Sequence, residues 1–279
     1  MKWVFLYPYH PKHPVRNQQP IGIFDSGIGG LTVARAISRL LPEEQIIYFG
    51  DTAHMPYGDK SPQLIAHYAD KITQFLLEKE SCKAIVIACN TASAAAYDVL
   101  RDRYKGSVPI INVIDPMIEE VIQHPSIAHI GIIATRTTIE SGVYQEKFTR
   151  RKPGLRYSAL ATPLLASMIE EGFHDNRISQ AVINQYLSDP TLHEIEGLIL
   201  ACTHYPLIKH EINAFLGGNV QLFDSGEVVA TKLKAILEKD VLQSDQRKEE
   251  NIFYVSDLTE SFPKAAQMFF GEAVNLRFQ

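Results

Sequence analysis

Two cysteines in this chain stand in closely matched surroundings. Cys89 follows the apolar run Ala84–Ala88, Cys202 follows the similar apolar run 197–201, and polar residues come after each thiol. A free thiol has a pKa of about 8.5, so both its protonated and its ionised form are accessible near neutral pH. Two such groups in separate halves of the chain indicate catalysis by thiols rather than packing alone.

Other uses of cysteine fit the sequence less well. Cys82 has neighbours that suggest no site, and we expect it to be a small buried hydrophobe. Zinc is the main alternative for Cys202, because His204 lies two positions further on, but structural zinc favours cysteine pairs two to four residues apart, and the sequence has none. It also lacks a C-x-x-C pair and a P-loop, and Thr32 replaces the last glycine of a dinucleotide motif. We therefore expect neither a metal nor a cofactor.

A second repeated motif links the two halves of the chain. The tetrapeptide Phe-Asp-Ser-Gly occurs at 24–27 and again at 223–226. Asp25 could take part in the chemistry or could cap the helix that begins near Gly30, and the sequence alone does not separate the two roles.

Three further ionisable residues are candidates for the site. His204 could orient or protonate a reacting group, or could be a loop histidine with its hydrogen bonds satisfied. Glu170 and Glu171 end an apolar run, and at least one of the two is expected to face solvent.

The elements around these residues alternate between short β-branched runs and longer helical runs. Helices are predicted at Leu31–Leu41, from the cap Ser61-Pro62 onward, and at Glu140–Thr149, Ile178–Leu187 and Val228–Leu237. Strands are predicted at Ile21–Phe24, Ile46–Phe49, Ala84–Ala88, Ile110–Ile114, Ile127–Ala134, Leu198–Ala201, Val220–Phe223 and Ile252–Val255.

This βαβ pattern predicts an α/β protein with two doubly wound parallel-sheet domains of similar topology that face a shared cleft. Ligands bind beyond the carboxyl ends of such strands, where Asp25 and both cysteines fall. We expect domain A at 21–113 and 223–279 and domain B at 114–222. Residues 1–20 hold four aromatic residues, four prolines and three basic residues, and are expected to form an arm packed along the body of the protein.

The composition excludes several classes of partner. The net charge is −5 over 279 residues, so no basic footprint indicates nucleic acid or an anionic membrane. Three cysteines are too few and too scattered for a disulfide framework and fit a reducing compartment. The longest apolar runs fall short of the roughly 18–20 residues that span a bilayer. We expect a cytoplasmic protein.

The sequence resembles the glutamate racemase family of the cofactor-independent aspartate/glutamate racemases. The resemblance runs from residue 21 to about 260. It is carried by four motifs, with Glu170-Glu171-Gly172 as a softer match: Ile23-Phe24-Asp25-Ser26-Gly27-Ile28-Gly29-Gly30, Gly50-Asp51-Thr52 with Pro56-Tyr57-Gly58, Ala88-Cys89-Asn90-Thr91-Ala92-Ser93, and Leu200-Ala201-Cys202-Thr203-His204-Tyr205-Pro206.

The resemblance implies a two-base mechanism without a cofactor. Cys202 would exchange the α-proton of L-glutamate and Cys89 that of D-glutamate. Asp25 is implied as the partner of Cys89, while His204 and Glu170 would assist Cys202. Residues matching the family's substrate-binding positions are Asp25, Ser26, Tyr57, Gly58, Asn90, Thr91, Thr203 and His204.

The resemblance also implies a biological role and partners. The substrate would be glutamate, and the product D-glutamate would supply peptidoglycan synthesis. Some members carry an N-terminal extension and respond to a nucleotide-sugar cell-wall precursor, so the arm is a candidate site for such an activator. The sequence leaves a homo-oligomer open. An aspartate racemase is the nearer alternative, although those tend to carry glutamate where His204 stands; a non-catalytic ligand-binding module is the other.

Overall fold

A computed structural model describes residues 15–246 and 249–279, so most of the arm expected at 1–20 lies outside the described residues. The strands are β1 (Ile21–Asp25), β2 (Ile46–Gly50), β3 (Ala84–Ile87), β4 (Ile110–Asn112), β5 (His129–Ala134), β6 (Arg156–Ala161), β7 (Gly197–Ala201), β8 (Gln221–Phe223), β9 (Ile252–Val255) and β10 (Leu276–Phe278).

Helices connect these strands. They are α1 (Leu31–Leu40), α2 (Pro62–Glu78), α3 (Asn90–Arg103), α4 (Ile114–Ile122), α5 (Arg136–Glu140), α6 (Val143–Arg151), α7 (Pro163–Glu170), α8 (Arg177–Leu187), α9 (Lys209–Phe215), α10 (Ser225–Lys239) and α11 (Phe262–Phe270). None of the helices in the described part of the chain has the length and apolar character needed to cross a membrane.

The strands form two parallel sheets that confirm the predicted α/β class. The first sheet has the order β10-β9-β2-β1-β3-β4, and the second has the order β6-β5-β7-β8. The cores β2-β1-β3-β4 and β6-β5-β7-β8 share one topology, because in each the first strand in sequence lies between the second and the third. The order in which strands are added therefore reverses between β1 and β3 in the first sheet and between β5 and β7 in the second. Ligands bind at such switch points in open α/β sheets.

The last part of the chain returns to the first sheet. β9 pairs in parallel with β2, and β10 pairs with β9. Helix α10 packs against α1 and also against α4, so it touches helices of both predicted domains. The division into 21–113 with 223–279 and 114–222 stays a proposal, which the end of β8 at Phe223 and the start of α4 at Ile114 support.

One predicted helix differs from the structure. The run predicted as a single helix over Glu140–Thr149 is divided between α5 and α6, and Gly142 between them has φ of 67°. Glycine adopts this left-handed conformation at little cost, and it ends the first helix before the second begins. The cap predicted at Ser61-Pro62 is confirmed, because the Ser61 hydroxyl accepts a hydrogen bond from the Leu64 N–H at 3.4 Å.

Candidate active site

The two cysteines expected to be reactive meet at one cavity. Cys89 comes two residues after β3 ends, and Cys202 comes directly after β7, so the two sheets contribute one thiol each. Both thiols are free, nearly buried and line the same cavity of about 80 Å³. This volume is below the ~300–1,000 Å³ of pockets for drug-sized ligands, so this conformation suits a small molecule.

Cys89 occupies the N-cap position of α3. Its Sγ accepts a hydrogen bond from the Ala92 N–H at 3.4 Å, and its thiol donates to the Ser26 hydroxyl at 3.5 Å. Burial raises the pKa of the Cys89 thiol to about 12, and the neighbouring Asp25 carboxylate adds to this rise. The hydrogen bonds that Cys89 forms with the Ala92 N–H and with the Ser26 hydroxyl oppose this rise but do not outweigh it. At neutral pH Cys89 is therefore a thiol, ready to donate a proton.

Asp25 is fully buried, and it does not line the cavity. Its Oδ2 accepts a hydrogen bond from the Gly27 N–H at 3.1 Å. Burial raises the pKa of this carboxyl group, while His204 and the N–H groups of Gly30 and Gly27 counteract the rise. The charge of Asp25 adds to the raised pKa of the Cys89 thiol, and its carboxylate accepts a hydrogen bond from the Gly27 N–H in the turn before α1, whose N-cap is Gly30. A part for Asp25 in the chemistry stays a prediction.

Cys202 is part of a chain of three ionisable groups. Its Sγ lies 3.6 Å from Nδ1 of His204, and Nε2 of the same ring lies 2.6 Å from Oε1 of Glu170. Burial alone lowers the pKa of His204, but its interactions with Cys202 and with the Glu170 carboxylate outweigh burial and hold this pKa well above its usual value. Glu171 is exposed, so Glu170 is the carboxylate that reaches the site.

The loop after β1 and the first turn of α1 pack against the loop that carries Cys202. Thr32 in the first turn of α1 donates a hydrogen bond to the Thr203 carbonyl at 3.0 Å. A Cβ at Gly29 would stand 2.3 Å from the His204 ring and 2.6 Å from Thr203 Oγ1. Only a glycine permits this approach, which brings the His204 ring against the loop after β1.

The remaining predicted site residues lie around the same cavity. They are Ser26, Tyr57, Gly58, Asn90, Thr91 and Thr203. Asn90 accepts a hydrogen bond from the Tyr144 hydroxyl at 3.0 Å, but its buried Nδ2 has no partner among residues 15–246 and 249–279. Tyr57 donates to Asp51 Oδ2 at 2.5 Å. An amide donor that is buried and unpaired at a cavity wall fits a carboxylate ligand.

The sequence interpretation missed part of the cavity wall. The additional lining residues are Gly27, Met55, Pro56, Asp59, Thr135, Arg136, Pro163, Ala166, Ser167 and Ala201. Thr135 directly follows β5, and its hydroxyl lies 2.9 Å from that of Thr91 on α3, so it links the two sheets across the cavity. The signal for Thr135 was available, because β5 was predicted to end at Ala134 and polar residues that follow such a strand face the ligand.

A zinc site at Cys202 and His204 would need a third protein ligand. No group of three or more His, Cys, Asp or Glu side chains there is arranged to hold a metal ion. Both ring nitrogens of His204 are directed at other side chains, one at Cys202 and one at Glu170.

Residues 22–233 match the Asp/Glu/Hydantoin racemase family. The chain belongs to this family. A glutamate racemase of Chlorobaculum tepidum is 40% identical over 262 residues, which cover 94% of this chain and 96% of the relative. The chain is therefore an amino-acid racemase, an isomerase.

Solved structures agree with this assignment. A glutamate racemase of Francisella tularensis, crystallised with D-glutamate, has a TM-score of 0.87 and 37% identity over 94% of this chain and 98% of its own. A glutamate racemase of Escherichia coli, solved with L-glutamate and the activator UDP-MurNAc-ala, has a TM-score of 0.75 and 26% identity over 90% and 95% of the two chains. The two-sheet α/β fold of this chain therefore matches that of glutamate racemases of known structure.

Proposed function

We propose that the chain is a glutamate racemase that uses Cys89 and Cys202 as its two acid–base groups. The observation that carries the proposal is that two free thiols, one from each sheet, line one small cavity. Inverting a stereocentre by proton transfer needs a base on one face of the α-carbon and an acid on the other. Two sheets that each supply a thiol to a shared cavity provide such a pair.

The surroundings of the two thiols suit one direction of the reaction. His204, whose pKa is held well above its usual value, lies 3.6 Å from the Cys202 sulfur, whereas burial raises the pKa of the Cys89 thiol. For L-glutamate, the Cys202 thiolate takes the α-proton and the electron pair passes into the α-carboxylate. The Cys89 thiol then donates its proton to the opposite face of the α-carbon, which leaves Cys89 as the thiolate and Cys202 as the thiol. D-glutamate follows the same steps in reverse.

The cavity wall supplies groups that stabilise the intermediate. The α-proton of an amino acid is weakly acidic, so the extra negative charge must be spread over the carboxylate and bound by donors. Asn90 Nδ2 is a buried donor without a partner in the described chain, and the hydroxyls of Ser26 and Thr203 line the same cavity. Donors fixed in a dry cavity stabilise such charge more strongly than water does.

The test measures deuterium incorporation and inversion together. In D2O, wild-type protein should incorporate deuterium at the α-carbon of L- and D-glutamate while circular dichroism follows inversion. Cys89→Ala and Cys202→Ala should each lower racemisation at least about 10³-fold, because each removes one acid–base group. Cys82→Ala is the matched control, since Cys82 is equally buried but does not line the cavity. Either site variant near the wild-type rate would refute the two-thiol mechanism.

The same assay decides between substrates. Aspartate is offered beside glutamate, and a preference for aspartate would favour the alternative racemase. Activity should also survive a chelator, and its loss and recovery on adding zinc would restore the metal interpretation. A protein that binds glutamate but incorporates no deuterium would be a binding module.

We further propose that D-glutamate made here supplies peptidoglycan synthesis in the cytoplasm and that a nucleotide-sugar precursor can regulate it. The E. coli relative, with its bound activator, supports the second point. Lys83 Nζ donates to the Asn17 carbonyl, and the Lys83 N–H donates to the Pro20 carbonyl, so the described end of the arm lies at the amino end of the first sheet. Deleting residues 1–14 keeps these contacts. An activator response that is unchanged by this deletion would exclude residues 1–14 from regulation.

A further inference from the structure

We propose that Tyr144 is a positioning residue for the racemase reaction, which orients the side-chain amide of Asn90 so that its N–H donors face the substrate. The inference rests on the proposed function, in which Asn90 binds negative charge on the substrate and on the intermediate. Tyr144 does not line the cavity, so it acts through Asn90 and touches no reacting atom.

The amide of Asn90 is held at one end and unpaired at the other. Asn90 is 3% exposed and lines the cavity directly after Cys89. Its Oδ1 accepts a hydrogen bond from the Tyr144 hydroxyl at 3.0 Å, whereas its buried Nδ2 has no partner in residues 15–246 and 249–279. The two polar atoms of an amide point in different directions, so with Oδ1 at Tyr144 the N–H donors remain for a ligand.

The phenol of Tyr144 fixes which way this amide faces. An amide turned over would bring Nδ2 to the hydroxyl and Oδ1 to the cavity, where a carboxylate would meet another acceptor. The Tyr144 hydroxyl has no second acceptor in the described part of the chain, so the turned amide would leave a buried proton unpaired. Burial raises the pKa of this phenol, and the Asp115 carboxylate adds to the rise, so the hydroxyl keeps the proton that it donates.

The ring of Tyr144 is itself held in place. Tyr144 and Phe148 lie one helical turn apart on α6, both are nearly buried, and their rings stack with centroids 6.5 Å apart. Helix α6 lies between two strands of the second sheet, whereas Asn90 begins α3 between two strands of the first. The contact therefore joins the two halves of the fold, and the second half orients a binding residue that the first half carries.

Tyr144→Phe removes the hydroxyl and keeps the ring. Asn90 Oδ1 then lies buried without a donor, and the two orientations of the amide become closer in energy. Losing such a hydrogen bond should lower kcat/KM about tenfold for both glutamate enantiomers. Because Asn90 binds charge that grows as the α-proton leaves, most of the loss should be in kcat, while KM changes less than about threefold.

Tyr104→Phe is the matched control. Tyr104 is also buried, and its hydroxyl donates to Asp70 Oδ1 at 2.9 Å, but neither residue lines the cavity. This variant also loses a buried phenolic hydrogen bond, so a denaturant titration should show at least as large a loss of stability as in Tyr144→Phe. Its kcat/KM should stay within about twofold of wild type. A tenfold loss in this control would show that the effect is not specific to Tyr144 and would refute the inference.

A double-mutant cycle with Asn90→Ala separates positioning from packing. Asn90→Ala alone should lower kcat/KM about 30-fold. Tyr144→Phe in that background should lower it by less than about twofold further, because no amide is left to orient. A packing role predicts the full tenfold loss a second time. Deuterium incorporation after long incubation supplies these rates where inversion is too slow to follow by circular dichroism.

The outcomes separate the inference from the function on which it rests. If wild type racemises glutamate and the two losses multiply in the double variant, the positioning role of Tyr144 is refuted and the racemase function stands. The same holds if Tyr144→Phe or Asn90→Ala alone keeps nearly the wild-type kcat/KM. If wild type does not exchange the α-proton of glutamate, the proposed function fails, and the inference fails with it.

Discussion

The contact between Glu170 and His204 offers the sharpest test of how Cys202 is kept reactive. Glu170→Gln keeps the shape of the side chain and removes its charge. The two atoms lie 2.6 Å apart, and the side chains of His204 and Glu170 are only 8% and 22% exposed. The substitution therefore replaces a short, charge-assisted hydrogen bond in a mostly dry place with a neutral one.

The expected size follows from the energy of such a bond. A hydrogen bond to a charged group contributes about 1.5–3 kcal/mol, and a middle value of ~2 kcal/mol corresponds to roughly a 30-fold change. Losing this charged partner would also lower the pKa of His204 from its raised value. Less imidazolium at neutral pH weakens the support that His204 gives to Cys202, so proton removal from L-glutamate should slow.

Symmetry fixes how this loss is distributed between the two directions. L- and D-glutamate have equal free energies in water, so kcat/KM must be equal for the two enantiomers in every variant. Glu170→Gln should therefore lower kcat/KM roughly 30-fold in both directions. The pKa of His204 falls in this variant. The basic limb of its pH profile, where activity declines as the pH rises, should therefore lie at lower pH than in wild type.

The assay is circular dichroism of both enantiomers across a pH series. Glu171→Gln is the control, because Glu171 is the exposed neighbour, and it should remain within twofold of wild type. A Glu170→Gln protein with near wild-type kcat/KM and an unshifted basic limb would show that Glu170 does not act through His204. The contacts that join Cys202, His204 and Glu170 would then play no part in catalysis.

Two further predictions concern packing. Gly29→Ala should abolish racemisation with little loss of helix content, because its Cβ would stand 2.3 Å from the His204 ring; Gly226→Ala, where the nearest atom is 3.4 Å away, should keep activity. Lys83→Met should lower the free energy of unfolding by about 3–5 kcal/mol in a denaturant titration, because it leaves the buried Glu44 unpaired. Adding Glu44→Leu should recover at least half of that loss, and no recovery would mean that the ion pair is not the cause.

The sequence by itself determined much of this protein. Apolar runs followed by polar residues identified the carboxyl ends of the strands, and so the positions of Cys89, Cys202 and Asp25. The period-2 and period-3.6 patterns that mark strands and helices are local, so they can be read without knowing the fold. The observed strands β1, β3 and β7 overlap the strands that were predicted to lead to these three residues.

The tertiary structure decided the rest. Glu170 and Glu171 are adjacent at the end of α7, where successive side chains point in different directions, and only the packing of the helix places Glu170 at His204. Asp25 was expected at the substrate, and only the fold shows that it is fully buried and outside the cavity lining; its role stays a prediction. Arg136 follows Thr135 without any distinguishing motif, and only the packing of the second sheet against the first places it at the cavity wall. Such contacts join residues that are distant in the chain, so local sequence patterns do not encode them.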